Sequence, residues 1–177
     1  MRRLYIALAV VLSLYLDSIF FARVNIAGIR PDVMLALIAS LGVILGGKPA
    51  AILGACVGLI ADILYSRFLG LSAIGYMVAG AVGGLFYQKY YADNIIIPAL
   101  VAIVGAFLKE NVMAIAARLS GAEFSYFGVL ASYILPCMLF TGLLCMPFHM
   151  AMKRLLAGQI RGERGASRDQ RNMGGIR

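Results

Sequence analysis

Between Glu123 and Lys153 the chain runs for 29 residues, Phe124 to Met152, without a formal charge. An apolar stretch of about 18 residues or more is long enough to cross the ~30 Å hydrocarbon core of a bilayer as a helix. This one does not alternate apolar and polar positions, as the ~10-residue strands of a membrane barrel do. In hydrocarbon every backbone N–H and C=O must be satisfied internally, which leaves the helix. Composition extends the same reading to the whole chain. Of 177 residues, 62% are hydrophobic and 14% charged, where a soluble domain carries about 25% charge. An ordinary soluble domain is thereby excluded, and so is a disordered chain, which would be poor in aliphatic residues.

Charges, prolines and glycine pairs divide the sequence into six apolar segments: Leu4 to Ala22, Val33 to Leu45, Ala50 to Ser66, Leu71 to Gln88, Ile95 to Ala117 and Tyr126 to Met152. The expected organisation is an all-α polytopic domain of six spans over residues 1–152, followed by a flexible basic tail over 153–177. At ~1.5 Å rise per residue the second segment reaches only about 20 Å. It is therefore either buried among other helices or crosses incompletely. Gly46-Gly47-Lys48-Pro49 stops one helix and starts the next, so segments two and three form a tight hairpin. Met1-Arg2-Arg3 and the apolar run after it resemble a signal sequence, but no small-x-small cleavage site follows, and the segment reads as an uncleaved first span.

The 16 basic residues outnumber the 8 acidic ones, for a net charge of +8. With six spans and the amino end inside, eleven bases fall on the cytoplasmic side: Arg2, Arg3, Lys48, Lys89 and seven in the tail. Arg23, Arg30, Arg67 and Arg118 fall outside. That asymmetry predicts both termini in the cytoplasm. The tail has no aromatic residue to stack on bases, so it reads as an anchor near anionic lipid and not as a nucleic-acid-binding arm.

Charges within apolar segments are costly and face partners or cavities. Asp17, Asp62 and Lys109 each lie about 18 to 21 Å along an outward-running helix, at one level near the outer surface. Asp32 joins them, because Pro31 at a helix start followed by an acid suits the helix dipole. With Arg67 and Glu110 these residues form an outer polar band. It is read either as a pocket or partner-docking surface open to the outside, or as interfacial salt bridges between helix ends. Within it, Lys109 is placed to pair with Asp62, and Glu110 points about 100° away from Lys109 on the same helix.

Small residues set the packing. Gly42 to Gly46, Gly54 to Gly58 and Gly80 to Gly84 each have the Gly-x-x-x-Gly spacing that lets helix backbones approach closely. Either packing within the chain or a homodimer uses it. In the fourth segment Tyr76 and Gly80 share an inward face. No nucleophile motif, phosphate loop or zinc signature occurs; no catalytic residue, metal or cofactor is expected. His149 is a lone histidine, and Cys56, Cys137 and Cys145 read as small buried hydrophobes.

The order Arg30-Pro31-Asp32, then Gly54-x-x-x-Gly58-Leu59-x-x-Asp62, then Gly70-Leu71-Ser72-Ala73 and Tyr76 resembles the rod shape-determining membrane protein MreD family over about fifty residues, Pro31 to Gly80. The resemblance implies an inner-membrane component of the bacterial cell-elongation machinery. It would act with the bitopic protein MreC, near MreB, RodA and a class B penicillin-binding protein, and carry no catalytic activity. It also implies a six-helix bundle similar to the S components of energy-coupling-factor transporters. Carried over, Pro31, Asp32, Gly54, Gly58, Asp62, Gly70 and Tyr76 would shape the bundle and its outer end. A vitamin-binding S component is the competing reading. It would show a small-residue stripe on the first helix, where Ala7-Leu8-Ala9-Val10-Val11 offers no Ala-x-x-x-Ala.

Overall fold

The computed structural model describes residues 2–20, 29–66, 68–87 and 94–174, with side chains as far as Leu156. Arg23, Arg67 and Lys89 lie outside the described residues. Six helical runs are present among the described residues. α1 is Arg2–Tyr15 and ends in a π turn, Leu16–Phe20. α2 is Val33–Leu45, α3 Gly47–Tyr65, α4 Leu71–Gly84 and α5 Ile96–Leu119. α6 begins as Tyr126–Val129, passes through a second π turn, Leu130–Ile134, and continues as Leu135–Gly174. The chain is an all-α membrane protein. α3, α5 and α6 are long and apolar enough to cross a bilayer, while α1, α2 and α4 are shorter apolar helices.

α2 explains the arrangement of the rest. Its sequence is apolar all round, and a helix of that kind must be surrounded. Eleven consecutive residues, Val33 to Val43, are buried, against α1, α3, α4, α5 and α6. Of the two readings of its shortness, burial among other helices is the one the structure adopts. The surrounding helices turn apolar side chains outward: Leu8 and Val11 on α1, Ile52 and Ile63 on α3, and Leu100 and Val104 on α5 are all more than half exposed. A surface of that kind is at home only against lipid or another apolar partner.

Because lipid is as apolar as the side chains, close packing must supply the cohesion that water would otherwise drive. A Cβ on Gly54 would stand 2.6 Å from the Tyr76 carbonyl oxygen, and one on Gly80 would stand 2.7 Å from the Ala50 carbonyl carbon. Gly58 meets the Ala73 backbone, and Gly84 meets Gly47. These four glycines thus bring α3 and α4 together, and a Cβ on Gly42 would meet the Gly80 carbonyl of α4 at 2.6 Å. Gly70 differs from its expected packing role, since nothing lies within 4 Å of its added Cβ. It stands at φ +92 before α4, a left-handed conformation that glycine adopts without penalty.

The hairpin between α2 and α3 is tighter than expected. Gly46 alone, at φ +97, separates the helices, and Pro49 sits in the first turn of α3, where no N–H is missed. At the other end the backbone of α6 runs helical as far as Gly174. Cys56 is exposed on α3, against the expectation of burial, while Cys137 and Cys145 are buried.

Candidate functional site

A helix start leaves its first backbone N–H groups without partners inside the helix, and inside a bundle in lipid no water replaces them. At the start of α2 each has a named acceptor. Val33 N–H donates to Asp17 Oδ1 at 2.9 Å and Met34 N–H to Asp17 Oδ2 at 3.0 Å. Leu35 N–H donates to Asp32 Oδ1 at 2.8 Å, and Ala36 N–H to the Asp32 carbonyl at 3.2 Å. The Asp32 N–H itself donates to Thr141 Oγ1 of α6 at 3.0 Å. The π turn of α1 carries Asp17, so a distant helix caps α2 beside its own N-cap residue.

Asp32 is also the hub of the side-chain network. Tyr76 Oη of α4 donates toward both of its carboxylate oxygens at 3.0 Å. Lys109 Nζ of α5 reaches Asp32 Oδ2 at 2.6 Å and Glu110 Oε1 at 3.3 Å, and lies 5.5 Å from the centre of the Tyr76 ring. Four helices besides α2 therefore converge on one carboxylate and the helix start behind it. The side chains are closed in: Lys109 is 12% exposed, Asp32 7% and Glu110 14%.

Asp62 stands apart from this hub. Its Oδ2 accepts from Gly70 N–H at 2.8 Å, Ser72 N–H at 3.0 Å and Ala73 N–H at 3.4 Å, at the start of α4. It is fully buried, and its Oδ1 has no hydrogen-bond partner among the described residues. The expected Lys109–Asp62 pair is not formed, because Lys109 turns to Asp32. Nor do Lys109 and Glu110 diverge, since the long lysine side chain bends back to its neighbour. Arg67 lies outside the described residues. Of the six band residues, the structure joins Asp17, Asp32, Lys109 and Glu110, and gives Asp62 a second helix start to cap.

Below the hub, α2 and α6 are laced together at a constant sequence offset. Asp32 meets Thr141, Cys145 Sγ donates to the Ala36 carbonyl at 3.4 Å, and Ser40 Oγ shares a 2.9 Å hydrogen bond with His149 Nδ1. An offset that stays fixed while both numbers rise means the two helices run parallel. Ser40, Thr141 and His149 are fully buried. The sequence reading missed Thr141, the Ser40–His149 pair and the polar role of Tyr76. A polar residue every fourth position, at 141, 145 and 149, was the available signal.

Chemically, the carboxylates are committed to backbone donors and to Lys109 and Tyr76, an arrangement that fixes helices. Among the described residues no group of three or more His, Cys, Asp and Glu could hold a metal ion. Two surface clefts lie beside the site, between α5 and α6.

Comparison with known proteins gives one family. A family model described as rod shape-determining protein MreD matches residues 1–158, which takes in α1 to α5 and α6 as far as residue 158. No curated protein and no solved structure matches the chain.

Proposed function

The chain belongs to the MreD family of rod shape-determining proteins, and from that premise we propose that it is a non-catalytic scaffold of the bacterial cell-elongation machinery. In this reading it is a multi-pass inner-membrane protein that binds MreC and through it supports peptidoglycan synthesis along the side wall. MreB, RodA and a class B penicillin-binding protein are indirect partners. The observation that carries the proposal is the extent of the family match, residues 1–158 of 177.

Two features of the bundle support it. The carboxylates of Asp17, Asp32 and Asp62 are engaged by backbone N–H groups, a use that holds a shape and suits a scaffold. The parallel course of α2 and α6 fits an even number of reversals between them, as six alternating spans require, with both termini cytoplasmic. A bitopic partner such as MreC would meet the outward apolar faces, where Leu8, Ile52 and Ile63 stand exposed. The Asp32 network would act on that contact indirectly, by keeping those faces in place.

The test is complementation in a rod-shaped bacterium depleted of its own MreD. Expression of this chain should restore rods and retain MreC in the purified membrane complex. Spherical cells at normal expression, with MreC not retained, would overturn the scaffold reading.

A further inference from the structure

Two adjoining clefts open where α5 hands over to α6. The outer one, about 460 Å³, is lined by Arg118, Phe124, Ser125, Tyr126 and Phe127. The inner one, about 210 Å³, shares Phe124 as a wall and continues between the helices past Met113, Ala117, Val129 and Ile134. The first is mixed, a cation and a hydroxyl among aromatic rings; the second is largely apolar. From this juxtaposition we propose that the α5–α6 junction is a binding site for an anionic phospholipid, its phosphodiester at Arg118 and Ser125 and the first part of one acyl chain in the slot beneath.

The parts of the site are held in place before any ligand arrives. Arg118 Nη1 donates to the Phe124 carbonyl at 2.9 Å, which fixes the guanidinium over the cleft and spends one of its five N–H donors. Among the described residues no carboxylate is paired with it. Tyr126 is tied to α5 through its hydroxyl, which donates to Asn111 Oδ1, and packs edge-on against Phe127 at 6.0 Å between ring centres. Aromatic rings beside a cation at a helix end are the composition of the bilayer interface, and α5 is long enough to bring Arg118 there.

Charge selects among phosphate-bearing lipids. One guanidinium matches the single negative charge of a phosphodiester. Glu123 on the same connection disfavours a diphosphate, which would bring more negative charge than Arg118 offsets. A zwitterionic lipid gains less, because its own ammonium competes for the phosphate.

Native mass spectrometry of the full chain in a non-ionic detergent tests the site, with phosphatidylglycerol, phosphatidylcholine and a polyprenyl diphosphate as probes. Phosphatidylglycerol should bind about tenfold more tightly than phosphatidylcholine, the effect of one charge-assisted contact. Arg118→Gln should remove that preference and Arg118→Lys keep part of it. Ala117→Phe, which fills the slot, should weaken both phospholipids. Ser125→Ala, a milder change, should lower phosphatidylglycerol binding two- to threefold without altering the unfolding temperature of the lipid-free chain. Equal binding of the two phospholipids, an unchanged preference in Arg118→Gln, or tighter binding of the diphosphate would each overturn the proposal.

Discussion

Replacing Asp17 by alanine removes the acceptor for two backbone N–H groups, those of Val33 and Met34, at the start of the most deeply buried helix. Hydrogen bonds between membrane helices average about 0.6 kcal/mol, because the unfolded chain in lipid also finds partners. Charge-assisted bonds are roughly twice as strong as neutral ones. Two of them therefore contribute about 2.4 kcal/mol, some fiftyfold in the folding equilibrium at about 1.4 kcal/mol per decade. Asp17→Asn keeps one neutral acceptor and should lose about 1.8 kcal/mol, retaining a single ordinary bond. The assay is unfolding by increasing mole fraction of SDS in mixed micelles, followed by circular dichroism. Amide hydrogen exchange at Val33 and Met34 provides a local readout. A change below about 0.5 kcal/mol in Asp17→Ala, with exchange at those two amides unaltered, would refute the capping of α2 by α1.

Glycine substitutions should divide by what the new methyl group meets. Gly80→Ala, facing the Ala50 backbone at 2.7 Å, should destabilise by at least about 2 kcal/mol, whereas Gly128→Ala meets only the Ser125 side chain at 3.6 Å, an ordinary contact, and should change stability by under about 1 kcal/mol in the same SDS titration. Gly70→Ala should cost about 1–2 kcal/mol from its left-handed conformation alone. Lys109→Met leaves the Asp32 carboxylate buried with Tyr76 as its remaining side-chain donor. It should destabilise by about 3–5 kcal/mol, while the double variant Asp32→Asn/Lys109→Met should recover part of that loss. His149→Ala strips Ser40 of its partner in a fully buried site and should cost about 1–3 kcal/mol.

The lipid setting, the six helical runs and the start of α2 at Pro31-Asp32 were legible, because charge-free length and a proline before an acid are local signals. Counting residues along a helix also put Asp17 and Lys109 at one level, and both side chains reach the start of α2. Which residues meet at a given depth was not legible, because that depends on how the helices are arranged around one another. Asp62 and Lys109 share a level yet cap and pair in different places, one at α4 and the other at Asp32. Capping of α2 by Asp17 joins residues 16 and 17 positions apart through a π turn, and the extra residue in such a turn changes which side of the helix a side chain faces. Thr141 escaped notice because a threonine in an apolar run looks like an ordinary membrane residue until its partner is known. Among the described residues Asp17, Asp32 and Asp62 of the polar band cap helix starts, and Asp32 pairs with Lys109.

The most direct measurement is the affinity of this chain for full-length MreC, both reconstituted in lipid bicelles, alongside Asp32→Ala and a lipid-facing variant of matched expression. The expected result is a stable complex with the parent chain, and a weakening with Asp32→Ala that follows its loss of folding stability. No complex with the correctly folded parent chain, when the same chain restores rod shape in depleted cells, would contradict the scaffold reading.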